Sequence, residues 1–199
     1  MASACLAQAE AGDSMRSFLD GLYRLALWLS ALCLVAIAVM VGAQLAGRIV
    51  DGALKLAGLP VYGFVILSLS EIAGYLLAAA SFLALAGTLK AGAHIRVTML
   101  LAALAEGPRR YVELFAFGAA AAFCAYMTWN IGRFAYVSWR FNEVSPGLIP
   151  VPLAIPQAAM TAGIAIMTVA LIDEFAAILA GGRPSFRASE DAITLGKEG

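Results

Sequence analysis

The sequence predicts an all-α integral membrane protein with four transmembrane helices and a short interfacial helix between the second and third. Three observations carry that reading. Hydrophobic residues make up 62% of the 199-residue chain and charged residues only 13%, with a mean hydropathy of +0.88. Soluble domains run nearer 45–50% apolar and about 25% charged. The apolar residues are gathered in four continuous runs, each longer than the ~20 residues needed to cross the hydrocarbon core. Basic side chains concentrate at the amino terminus, between the second and third runs, and at the carboxy terminus. That distribution fits an even number of spans with both ends on one side.

The first span is read over about residues 22–50, interrupted by Ser30, Gln44 and a late Arg48. Its apolar stretch is far longer than the ~7–15 residues of a signal peptide, so it is read as retained, behind a flexible tail of residues 1–16. The second covers about residues 62–89 and holds one acid, Glu71. The third spans about residues 111–136, opening with Glu113 and closing near Arg133. The fourth, about residues 153–179, ends on Asp173 and Glu174, followed by a tail over residues 181–199. A lipid-facing barrel would instead show ~10-residue alternating segments. The formal net charge is zero, which gives no case for nucleic-acid binding. Cys5, Cys33 and Cys124 are scattered singly and suggest neither a disulfide framework nor a zinc site.

Charge sets the orientation. Arg16 and Arg24, then Lys90, Arg96, Arg109 and Arg110, then Arg183, Arg187 and Lys197 place nine basic residues on one side. Arg48, Lys55, Arg133 and Arg140 place four on the other. Basic residues near helix ends stay in the cytoplasm, so both termini are expected there. Tyr23 and Tyr111 then fall at the inner interface, and Tyr62, Tyr136 and Trp139 at the outer one.

The stretch Gly87–Tyr111, GTLKAGAHIRVTMLLAALAEGPRRY, gathers the only histidine with Lys90, Arg96, Arg109 and Arg110. It reads as the cytoplasmic connection between the second and third spans. Val97, Leu100, Leu101 and Leu104 share one helical face and Gly107-Pro108 ends the pattern, so a short interfacial helix is expected over about residues 95–106.

These pieces resemble the small membrane subunit of tripartite ATP-independent periplasmic (TRAP) transporters, the DctQ-type small permease. The likeness rests on a long second span with an early Glu71, on Gly87-Thr-Leu-Lys-Ala-Gly-Ala-His94-Ile95-Arg96-Val97 closing it, and on Ile149-Pro150 before the fourth span. It covers about residues 17–180. The family often has an acid after that valine, whereas Thr98 follows here. The resemblance implies a scaffold subunit of a secondary transporter that imports an organic acid on a sodium gradient. It would act with a large multi-span permease and a periplasmic binding protein in the bacterial inner membrane. No enzymatic activity and no cofactor in this chain are implied, sodium coupling belonging to the large subunit. Independently, no evident internal repeat and no matching pair of Gly/Pro-broken helices marks a transport site.

Six residues stand out as structural or partner-contact candidates: Arg48, Glu71, Gly74, His94, Arg96 and Arg133. An acid within a span costs at least ~2.5–3.5 kcal/mol at the bilayer centre and is by default a functional hypothesis. Read about nine residues into helix two, Glu71 is expected to pair with Arg48 or Arg133 at similar depth. Proton coupling by a lone carboxylate is the alternative. His94 has no second histidine or clustered cysteine to complete a metal or haem site, which disfavours a four-span redox subunit. An interfacial histidine bonded to a carbonyl or a neighbouring subunit is expected instead. A small proton-coupled exporter is a further alternative. Glu143–Pro156 holds four of the seven prolines and is expected to be an extended, rigid lead-in to helix four. Small residues recur at four-residue spacing, as in Gly42–Ala46, Gly74–Ala78, Gly118–Ala122 and Ala158–Ala162, and such faces let helices approach closely.

Overall fold

A computed structural model of the chain describes residues 2–90 and 106–180. The described residues form four helices: α1 (Ala2–Leu56), α2 (Leu69–Lys90), α3 (Glu106–Arg140) and α4 (Ala154–Leu179). Each includes a stretch long and apolar enough to cross a membrane: Leu19–Leu56, Leu69–Leu89, Arg110–Arg140 and Ala154–Leu179. The expected interfacial segment at 95–106 lies almost wholly outside the described residues, as do His94, Arg96 and the tail from residue 181. Residues 2–16, expected to be a flexible tail, lie within α1.

The helices pack as a row rather than a closed square. α1 lies along α2, α2 along α4, and α4 along α3, while α1 meets α4 only locally. Burial follows from that order. α4, with neighbours on two sides, buries Gly163, Ile164, Thr168, Ala170, Leu171, Glu174 and Ile178. The edge helices α1 and α3 leave most of their apolar surface outward, including Trp28, Leu32, Phe115 and Phe134.

Lipid is as apolar as leucine, so these helices associate through close packing and a few polar contacts. The seams are accordingly built from small residues. Ala79, Ala80 and Ala86 of α2 and Ala170 of α4 are buried. Tyr23, Ala86 and Ala170 form a core in the half of the bundle where α2 and α4 end, with Leu19, Leu89, Ile166 and Met167 packed against it. Gly163 of α4 lies directly on the backbone of α2, where a Cβ would come within 2.5 Å of the Phe82 carbonyl carbon. Two hydroxyl contacts cross the seams between helices. Ser30 Oγ donates to the Ala80 carbonyl at 2.8 Å, and Thr128 and Thr168 meet across the α3–α4 seam at 3.2 Å.

The second helix begins later than its hydropathy implies. α1 ends in a Schellman motif: Gly58 takes φ +70, Leu59 N–H reaches the Leu54 carbonyl at 2.9 Å, and Gly58 N–H reaches Lys55 at 3.2 Å. The following residues then turn back along α1 instead of starting a helix. Asp51 accepts the Tyr62 and Gly63 amides at 2.9 and 3.1 Å, and Gln44 Oε1 accepts the Ile66 amide at 3.2 Å. Phe64 packs on Gly47. Backbone amides must be satisfied at this level of a membrane, and α1 supplies side chains that do so. Helix α2 therefore starts at Leu69 rather than at residue 62.

The proline-rich connection also departs from expectation. It folds back on itself rather than running extended. Ser145 N–H donates to the Val151 carbonyl at 2.9 Å and Leu153 N–H to Glu143 at 3.0 Å, around one antiparallel bridge between Val144 and Pro152. Ser138 Oγ donates to Glu143 Oε2 at 2.7 Å, tying the turn to the end of α3.

Candidate functional site

Polar groups collect at the two ends of the row. At the end where α2 begins, Ser68 precedes α2 with φ +55, and its carbonyl accepts the Glu71 and Ile72 amides. Glu71 thus occupies the first turn of α2, where the helix dipole favours a negative charge. Its Oε1 accepts the Tyr75 hydroxyl at 3.0 Å. Ser68 Oγ accepts the Ile149 amide at 3.2 Å. Gly147 rests so close to the Glu71 carboxylate that any Cβ there would overlap it. The mouth of α2 and the α3–α4 connection are latched together through these groups.

The guanidinium pairing expected for Glu71 is absent: among the described residues, no ion pair joins it to Arg48 or Arg133. The physical reason is the late start of α2. A helix from residue 62 would bury Glu71 about two and a half turns deep, whereas a start at Leu69 leaves it at the rim beside a polar loop. Arg48 and Arg133 are both exposed, on opposite edges of the row. Gly74, one turn below Glu71, is exposed with nothing within 4 Å of a built Cβ. The structure therefore brings Glu71 together with Tyr75 and Gly147, and leaves Arg48, Gly74 and Arg133 on separate outer surfaces.

At the opposite end, Glu113 of α3 and Glu174 of α4 are buried, at 1% and 5% exposure. Tyr23 of α1 is buried too, within electrostatic range of Asp173, Asp20 and Glu174. None of Asp20, Tyr23, Glu113 and Glu174 is an isolated group. Arg110 Nη2 donates to the Ile178 and Leu179 carbonyls at 3.4 and 3.3 Å, covering the carboxy end of α4 where carbonyls lack helical partners. Sequence reasoning treated Glu113 only as the opening of the third span. A signal was present: Ala116, Ala120 and Cys124 follow it on one helical face, and that half-buried face meets α4.

Among the described residues, no three His, Cys, Asp or Glu side chains come together to hold a metal. Cys33 and Cys124 are separate free thiols on different helices. The polar groups that are placed serve helix ends, loop amides and seams between helices. What the chain offers outward is apolar helix surface with small-residue stripes.

Four membrane-length helices joined side by side in this way define an integral membrane subunit. The chain belongs to the family described as "Tripartite ATP-independent periplasmic transporters, DctQ component", whose model matches residues 59–181 of the 199. It is therefore the small membrane component of a TRAP-type transporter. The match opens directly after α1 and takes in α2, α3, α4 and the latched α3–α4 connection. Comparison with curated proteins and with solved structures gives no match.

Proposed function

We propose that this subunit is a scaffold that holds a large permease subunit in the bacterial inner membrane while the permease imports an organic acid on a sodium gradient. A periplasmic binding protein delivers the substrate. The observation that carries the reading is the row itself. Its edge helices leave most of their apolar surface unpartnered, and a row of four helices encloses no central path. The exposed line Ser70–Gly74–Leu77–Ser81 runs at i, i+4, i+7 and i+11 along α2, a shallow seat for a partner helix. Glu71 and Gly147 keep the outer connection seated beside that line. In this reading Arg48, Gly74 and Arg133 are surface residues available to partners, and His94 and Arg96 belong to the cytoplasmic connection.

Reconstitution tests the function. The subunit alone in liposomes is expected to take up no organic acid under an inward sodium gradient. Uptake is expected only when the large subunit and the binding protein are both added. Uptake by this chain alone would overturn the scaffold reading in favour of a self-contained exporter or carrier.

Topology is tested separately. The nine-to-four basic asymmetry supports a cytoplasmic location for both termini. Reporter fusions at Gly199 and in the turn at residues 147–152 are expected to report opposite compartments. Both reporting the same compartment would remove the four-span orientation.

A further inference from the structure

An open groove of ≈ 670 Å³ lies between α3 and α4, lined by residues including Ala125, Trp129, Gly132, Arg133, Tyr136 and Val169. Its floor is flat because Gly132 and Ala125 carry little side chain. Its wall stands high, with Trp129 69% and Tyr136 55% exposed. Trp129, Arg133 and Tyr136 fall at i, i+4 and i+7 on one face of α3, and Arg140 continues that face at i+11. From Ala125 to Arg133 the trough runs roughly 12 Å along the helix, at ~1.5 Å per residue.

Depth identifies the occupant. α3 ends at Arg140, so Arg133 lies about 10 Å further in. Tyr136 and Trp139 stand between, with ring centroids 6.2 Å apart, at the level where aromatic belts meet headgroups. A long arginine side chain just below that belt extends outward to reach phosphate.

Nothing in the described chain neutralises it. The acids of the outer half are engaged elsewhere: Asp51 with the Tyr62 and Gly63 amides, Glu71 with Tyr75, and Glu143 with Ser138. A cation at phosphate depth above an apolar trough of this length matches a phospholipid headgroup and acyl chain. A transmembrane helix, roughly 10 Å across, would ride on Trp129 and Tyr136 and leave the floor empty. Arg140 above Arg133 adds a second positive charge, which disfavours a choline or ethanolamine headgroup.

We infer that the α3–α4 groove binds an anionic phospholipid of the outer leaflet, its phosphate on Arg133 and one acyl chain in the trough below. The leaflet rests on the orientation proposed above; the site itself does not depend on transport, since the bilayer supplies the ligand.

The test uses the subunit assembled with its large partner, with Trp28→Phe and Trp139→Phe leaving Trp129 as this chain's fluorophore, in a large subunit whose tryptophans are likewise replaced. The complex is reconstituted in phosphatidylcholine containing dibrominated phosphatidylglycerol or dibrominated phosphatidylcholine. Quenching of Trp129 is expected to report a roughly three- to fivefold preference for the anionic lipid. Arg133→Gln should bring that ratio to about one, with helicity and assembly unchanged. Arg48→Gln, on the far edge of the row, should leave the ratio as it is. A ratio of one in the unaltered groove, or a preference that survives Arg133→Gln, would overturn the inference. So would protection of Trp129 from both lipids, since a protein segment would then cover the groove.

Discussion

Replacing Gly163 with alanine should lower the thermal unfolding midpoint of the purified subunit by several degrees, and replacement with leucine should lower it further. The reason is what the new Cβ would meet. It would stand 2.5 Å from the Phe82 carbonyl carbon, 2.6 Å from its oxygen and 2.8 Å from the Leu83 nitrogen. These are backbone atoms within a helix, so no rotamer change can clear them. α4 must shift or roll away from α2. That seam is the principal join between the α1–α2 half of the row and the α3–α4 half, because α1 and α4 touch only locally. Overpacking of this kind costs about 1–3 kcal/mol, which is roughly 2–4 °C per kcal/mol in a chain of this size. Gly42→Ala supplies the contrast. Nothing lies within 4 Å of a Cβ there, and alanine in an open helical position gains about 0.5–1 kcal/mol over glycine. The two substitutions should therefore move the midpoint in opposite directions. Equal midpoints for the two variants would mean that the α2–α4 approach is not the close seam described.

Much of this architecture was legible in the sequence. Span number, helical class and family all follow from hydropathy, charge and a few short motifs, because lipid forces each apolar run into a helix long enough to cross it. The misplaced start of α2 and the wrong partner for Glu71 share one cause. Hydropathy registers where a chain is apolar and is blind to where its amides find partners. Gly58, Pro60 and Gly63 were visible breakers at the head of the second run. What holds residues 59–66 in place, however, is Asp51 and Gln44, and the Gln44 bond spans 22 residues. Placing the start of α2 too early then moved Glu71 inward and gave it the wrong partner. Gly163 was missed for a different reason. Its neighbour Ala162 belongs to a small-residue pair, but in a chain so rich in alanine and glycine the pattern cannot say which small residue faces a helix. The structure puts Gly163 on α2 and leaves Ala162 exposed.

That one-residue difference separates folding from assembly. Gly74→Leu and Ala162→Phe should leave the melting of the isolated subunit near that of the parent, yet reduce co-purification of the large subunit by roughly tenfold, about 1.4 kcal/mol. Gly74 is open on the stripe Ser70–Gly74–Leu77–Ser81, with nothing near a built Cβ. Among the described residues nothing lies within 4 Å of a Cβ there, and leucine replaces the poorest helix former short of proline. A lipid-facing stripe gains nothing from small side chains, whereas a partner helix needs them to bring its backbone close. The same reasoning holds for Ala162 on the exposed face of α4. Arg183→Ala and Lys197→Ala remove charge from the tail and should barely change co-purification, because association across buried membrane surface depends on packing. Gly163→Ala provides the internal check: it should lose stability first, and partner binding only as the row comes apart. Full co-purification with Gly74→Leu and Ala162→Phe would move the docking surface to the edge helices α1 or α3. Loss of melting stability in the same variants would make Gly74 and Ala162 part of the fold rather than of the contact.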